Sequence, residues 1–168
     1  MTIETILRQI DESPLAASIR ENVNAFPLLE SLHVLAIAIV FGTILIVDLR
    51  LVGLPAHRRS AQKLTAELLP FTWGAFVVAV ITGSLLFVSN PVAYANNTEF
   101  LLKLVLIAIA GLNMVWFHST THRRIAEWDE DMPPPTAARV SGAMSLVLWT
   151  SVIVLGRWIG FTLETMFF

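Results

Sequence analysis

The chain is patterned as long apolar runs separated by short polar connections. The first run extends from about Phe26 to Gly53, with Ser31 to Val47 (SLHVLAIAIVFGTILIV) as its core, and the second covers Leu68 to Val88. The third goes from Phe100 to about Thr121 and the fourth from Val140 to about Leu163. Each supplies the roughly 20 residues that an α-helix needs to cross about 30 Å of hydrocarbon. In lipid, backbone N–H and C=O groups must be satisfied within the segment, so these runs are expected to be helices. The expected fold is all-α, a polytopic four-helix antiparallel bundle over residues 26–168. Ahead of it, residues 1–25 read as an external amphipathic helical segment.

That segment follows the helical period. Ile3, Ile6, Leu7 and Ile10 recur at i, i+3, i+4, i+7, the stripe of an amphipathic helix. Ser13-Pro14 then reads as a cap followed by proline at the first helical position, opening a second short helix with Leu15, Ile19 and Val23 on one side. Both pieces are expected to lie on the outer interface or to cap the bundle as an anchoring collar. The Pro133-Pro134-Pro135 run marks a stiff connection between the third and fourth spans.

Orientation follows from the placement of Lys and Arg. The first connection holds Arg50, Arg58, Arg59 and Lys63, and the third holds Arg123, Arg124 and Arg139. The second connection, SNPVAYANNTE, holds none. Odd-numbered connections are therefore expected in the cytoplasm, and both termini outside a cytoplasmic membrane.

Composition sharpens the function classes. The chain has 168 residues, 55% hydrophobic and only 14% charged, with a net charge of −2, so no basic field points to nucleic acid. It contains no cysteine, which excludes disulfides, thiolate metal sites and covalent haem attachment through a C-x-x-C-H motif. The first apolar run follows an acidic, polar stretch, unlike a secretory signal. Neither a phosphate loop nor a nucleophile–base signature occurs, so an enzyme acting alone is the class with least support.

The ionisable residues inside the spans are the candidate chemistry, because charge at membrane depth is costly and usually turned inward. Counting about 1.5 Å per residue, His33 lies roughly 9 Å below the outer end of the first span, Lys103 roughly 5 Å into the third and Arg157 roughly 7 Å from the outer end of the fourth. Glu30 sits one turn above His33 and can share its face. Glu30 can pair with Lys103 or Arg157, leaving His33 free to bind a metal through one ring nitrogen. The bland reading is that Lys103 and Arg157 snorkel to the surface and that Glu30 is wet. At the opposite end lie Asp48, Arg50, His57, Trp73, His118 and His122, which read as boundary and interfacial residues. Glu30 and Asp48 are five full turns apart and so point the same way. His118 lies roughly 23 Å along the axis from Lys103, too far to share a ligand with His33. Asn113, mid-span, is expected to hydrogen-bond across helices. Gly156-x-x-x-Gly160, Ser141-x-x-x-Ser145 and Ala38-x-x-x-Gly42 are small-residue pairs that allow close helix approach.

Several stretches carry a resemblance: SPLAASIRENVNAFPLLESLHVLAIAIVFGTILIVDLRLVGL, FTWGAFVVAVITGSLLFVSNP, FLLKLVLIAIAGLNMVWFH and SLVLWTSVIVLGRWIGF. Together they resemble a family of bacterial four-span membrane proteins of unknown function, which implies fold and location but no activity. More distantly, the L-H-x-L-A pattern around His33 and the Lys-Leu start of the third span are similar to two further groups. These are the membrane-bound protoporphyrinogen oxidases and the copper-resistance-D type membrane domains. The oxidase resemblance implies a haem-b-binding four-helix membrane fold using a first-span histidine and a third-span lysine, here His33 and Lys103. Glu30 and the external tail depart from that pattern.

Three functions compete. The first is a b-type haem or porphyrin-handling protein, with His33 as an axial ligand and Lys103 or Arg157 holding propionates, or Lys103 in the other axial position. The second is a small ion or metal transporter using Glu30, His33 and Asp48. Scattered methionines argue against copper, and a single Glu-x-x-His motif argues against a di-iron site. The third is an accessory subunit whose polar layer sets helix register. The lipid bilayer is the first partner, with a second copy or a redox partner beside it.

Overall fold

The computed structural model describes residues 2–54, 61–120 and 133–164, and among these it contains seven helices and no strand. Four are long: α3 (Ala25–Val52), α4 (Ala61–Ser89), α6 (Thr98–Ser119) and α7 (Thr136–Glu164). All four are long and apolar enough to cross a membrane. Their outward faces carry exposed apolar side chains such as Val34, Val80, Leu112 and Val147. That is the surface a bilayer solvates, since lipid tails are as apolar as the side chains themselves. The chain folds as an all-α polytopic membrane bundle.

Packing defines the arrangement. α3 packs against α4 on one side and α7 on the other, and α7 packs against α6. The spans thus form a row, α4–α3–α7–α6, in which α4 and α6 share no packed face comparable to the other three. One end of the row carries the α4–α6 connection, the start of α3 and the end of α7. The other end, the loop end, carries the end of α3, the start of α4, the end of α6 and the start of α7. His57, Arg58, Arg59, His122, Arg123 and Arg124 lie outside the described residues.

Helix ends depart from the apolar runs. α4 begins at Ala61, seven residues before the apolar run at Leu68, and α7 begins at Thr136, four residues before Val140. Ala61, Leu64 and Thr65 are buried while Lys63 and Glu67 are exposed; this i, i+3, i+4 stripe holds an extension that polarity had seemed to end. Ala61 joins Leu51, Phe117 and Ala138 in a core at the loop end. The three prolines stop at the threshold of α7: the Pro135 carbonyl accepts the Arg139 N–H at 3.1 Å, within the helical ladder.

The N-terminal residues form the two short helices expected, α1 (Ile3–Asp11) and α2 (Pro14–Glu21). Ser13 caps α2, its hydroxyl accepting from Ala16 N–H at 3.3 Å, with Pro14 in the first turn. α2 buries Ala16 and Ile19, whereas Val23 is 85% exposed and Leu15 is also exposed. Arg20 fastens this collar to the bundle. Its guanidinium donates to the Asp11 carboxylate and to the Asp11 carbonyl, both at 2.7 Å, and to the Ser89 carbonyl at the end of α4, at 2.8 Å.

Between α4 and α6 lies α5 (Pro91–Ala95), capped by Asn90. The stretch is closed by Asn97, 1% exposed. Its amide oxygen caps α6 by accepting from Phe100 N–H at 2.8 Å, and its NH2 donates to the Thr162 hydroxyl of α7 at 2.8 Å. At the loop end, Asn113 of α6 donates to the Ser141 carbonyl of α7 and accepts from the Ser141 hydroxyl, each at 3.0 Å. The cross-helix bond expected of Asn113 is therefore present.

The small-residue pairs divide. A Cβ on Gly142 would meet Leu51 Cβ at 3.0 Å and the Asp48 carbonyl at 3.1 Å, which marks a close α3–α7 approach. Gly42 and Gly160 face open space, and Ala38 is exposed. The Ala38–Gly42 pair is thus not a contact face within the chain.

Candidate functional site

His33 projects from α3 toward α4. Its Nδ1 lies 2.9 Å from the Thr82 hydroxyl oxygen. That hydroxyl also donates to the Val78 carbonyl one turn back, at 2.7 Å, which favours the hydrogen on Nδ1, and the Ala79 carbonyl is a backbone partner of the same ring. In the neutral ring Nε2 then keeps its lone pair. The imidazole rests on Gly83: a Cβ there would fall 2.9 Å from His33 Cε1. A Thr82-Gly83 pair on α4 thus fixes the tautomer and makes room for the ring.

Lys103 of α6 reaches into the same layer. Its Nζ lies 3.4 Å from where a Cβ on Gly156 of α7 would sit, and its charge acts on the His33 imidazole across the interior. All four spans therefore contribute to one polar layer: His33 from α3, Thr82 and Gly83 from α4, Lys103 from α6 and Gly156 from α7.

The other two expected members stand apart. Arg157 is exposed, its guanidinium carbon 5.0 Å from the centre of the Phe161 ring, so it lies over its own helix surface. Glu30 is exposed and, among the described residues, pairs with neither Lys103 nor Arg157. Its carboxylate acts instead on Tyr94 of α5. Tyr94 packs against Phe87 and Phe100, which stack on one another; burial pushes its phenol up from the ordinary value, and Glu30 adds to that. A shared face on α3 did not give Glu30 and Asp48 a shared environment: Glu30 sits near the start of α3, while Asp48 lies where α7 crosses.

The loop end holds the largest departure from the sequence reading. Asp48 is not a boundary residue but is 6% exposed. The Ser145 hydroxyl is its side-chain partner, and its Oδ2 has no partner in the structure. It lines a cavity of about 160 Å³ to which all four spans contribute. His118 lines the same cavity, with its Nδ1 donating to the Met114 carbonyl at 2.9 Å. His118 and His33 thus belong to opposite ends, as their spacing required.

Sequence reasoning missed Thr82, Gly83 and Asn97, and read Gly156 and Ser145 only as small residues for helix packing. A threonine or glycine in an apolar span has no signature of its own; its meaning comes from the neighbour it faces. No group of three His, Cys, Asp or Glu side chains able to hold a metal ion occurs among the described residues.

No curated protein and no solved structure matches the chain. A family model does, over residues 23–162, from just before α3 almost to the end of α7. The chain belongs to that family, DUF6644, a family of unknown function.

Proposed function

We propose that this protein binds haem b in the layer of His33 and Lys103 and carries electrons, or handles a porphyrin, at the outer side of a bacterial cytoplasmic membrane. The observation that supports the reading is the contact of His33 Nδ1 with Thr82 inside the bundle; with the hydrogen on Nδ1, Nε2 is the nitrogen that would meet a metal. A metal-ligating histidine typically has its other nitrogen held by such a hydrogen bond. His33 would hold the iron through one ring nitrogen. A porphyrin brings four equatorial nitrogens of its own, so one protein nitrogen is enough to anchor it. Haem bound there supplies one-electron iron chemistry. Lys103 would offer a positive charge to a propionate or an amine to the iron, and Gly83 and Gly156 make room for the His33 ring and the Lys103 side chain against α4 and α7. Arg157, over Phe161, is placed for a group at the surface rather than in the layer.

The orientation in this reading puts the loop end, with Arg50, Lys63 and Arg139, in the cytoplasm.

A reduced-minus-oxidised absorption spectrum of the detergent-purified protein tests the proposal beside a His33→Ala variant. A sharp b-type α-band in the wild type that His33→Ala abolishes is the expected result. A colourless wild type from cells supplied with haem overturns it and leaves an accessory-subunit role.

A further inference from the structure

The loop-end cavity combines three properties that belong together in a ligand site and that the haem reading does not use. The first is an unpartnered polar atom. Asp48 is 6% exposed and its Oδ2 has no hydrogen-bond partner. An ionised carboxylate only accepts hydrogen bonds, and a buried one without a cation or donors is costly. The second is the wall. Aromatic side chains from three spans line the cavity: Trp73 and Phe76 of α4, Phe117 of α6 and Trp149 of α7. Aromatic faces attract cations. Among the described residues, neither lysine nor arginine lines it.

The third property is access. α4 and α6, the two ends of the row, do not close on one another as the other neighbours do. A recess lined by Leu69, Trp73, Met114 and His118 adjoins the cavity. By that route a solute dissolved in the bilayer would reach Asp48 without crossing the packed interfaces. The volume of about 160 Å³ is close to that of apolar cavities that hold a single benzene, about 150 Å³.

We propose that this cavity is a binding site for a lipophilic amine, its ammonium group donating to Asp48 Oδ2 and its apolar, single-ring body held among Trp73, Phe76, Phe117 and Trp149. Ser145 orients the carboxyl by bonding to it, and is a positioning residue rather than a contact for the ligand.

The probe is 4-bromobenzylamine, whose bromine quenches tryptophan fluorescence on contact, compared with 4-bromotoluene, which has the same ring without the charge. Wild-type protein in detergent micelles should show saturable quenching by the amine beyond that given by bromotoluene. Asp48→Asn keeps the shape and the Ser145 bond but removes the charge; it should weaken amine binding about 10- to 100-fold, as loss of a charge-assisted bond does, and leave bromotoluene unchanged. Gly111→Leu provides a second variant that leaves Asp48 intact. Gly111 lines the cavity and has open space at its Cβ position, so the leucine fills the void without overlap and should abolish saturable quenching by the amine. Equal quenching by both probes, with neither variant changing it, shows partition into the micelle and overturns the proposal. Saturable binding of both probes that Gly111→Leu abolishes and Asp48→Asn leaves intact shows an apolar cavity without amine recognition, and overturns it equally. Asp48 lies fifteen residues along α3 from His33, about 23 Å, and Gly111 lies eight residues along α6 from Lys103, about 12 Å, so neither variant touches the proposed haem layer.

Discussion

Thr82 shows how much a single hydroxyl decides in a dry interior. It accepts from His33 Nδ1 and donates to Val78, and so selects which imidazole nitrogen is available. Thr82→Val keeps the shape and removes the acceptor. If haem is bound, its affinity should fall by about 10- to 100-fold, the usual effect of losing the partner behind a metal-ligating histidine. Thermal unfolding should also show a loss of about 1–3 kcal/mol, because Nδ1–H is left unsatisfied. Titrating haem into apo-protein and melting both proteins in the same detergent would check the two effects separately. A melting curve that does not move would mean that His33 finds another acceptor. His33, Lys103, Asp48 and Asn113 stood out in the sequence because a polar group in an apolar run is conspicuous. Their partners were not legible, since Thr82, Ser145, Gly83 and Gly156 are ordinary residues for a membrane helix.

At the scale of the helix, glycines of the same type separate by what they face. Gly142→Ala forces a methyl against the Asp48 carbonyl and Leu51 Cβ, and should destabilise the α3–α7 contact by about 1–3 kcal/mol, the cost of overpacking. Gly42→Ala meets nothing and should be neutral or stabilising by up to about 1 kcal/mol, the helix-propensity gain. Thermal melts of the two variants should therefore move in different directions; equal losses would contradict the α3–α7 approach. The short α5 gives a pH dependence. Tyr94 is the chain's single tyrosine, and its phenol is raised by burial and by Glu30. A folded value above the unfolded one means the neutral phenol stabilises the fold. That contribution is complete below the ordinary value of about 10 and is lost as pH rises through the higher folded value. An ultraviolet phenolate titration should show a midpoint above that of free tyrosine, and Tyr94→Phe should remove this part of the alkaline loss of stability. A midpoint at the free-tyrosine value would place Tyr94 in water. Elements were legible in the sequence to different degrees. The collar helices were readable because Ser13-Pro14 is a local signal. The first turns of α4 were not, because Lys63 and Glu67 interrupt the apolar run while Ala61, Leu64 and Thr65 still face the core.

For the whole molecule, absence of cysteine allows orientation to be read by single-cysteine labelling. Asn96→Cys, beside α5, and Thr136→Cys, at the loop end, are both exposed positions. With a membrane-impermeant maleimide on intact spheroplasts, Asn96→Cys should label and Thr136→Cys should label only after the membrane is opened. The reverse pattern would invert the orientation and put the His33 layer on the cytoplasmic side. Four spans, their approximate limits and the helical class came from the sequence by itself, because hydrocarbon leaves a long apolar segment one way to satisfy its backbone. The order of the helices in the row did not, because their lipid-facing and partner-facing side chains are equally apolar and no periodic contrast marks the difference. Only the tertiary structure put Asp48 inside and Glu30 outside, although both point the same way from α3. Burial depends on whether another helix crosses at that height, and that is a property of the packing rather than of the residue or its position on the helix.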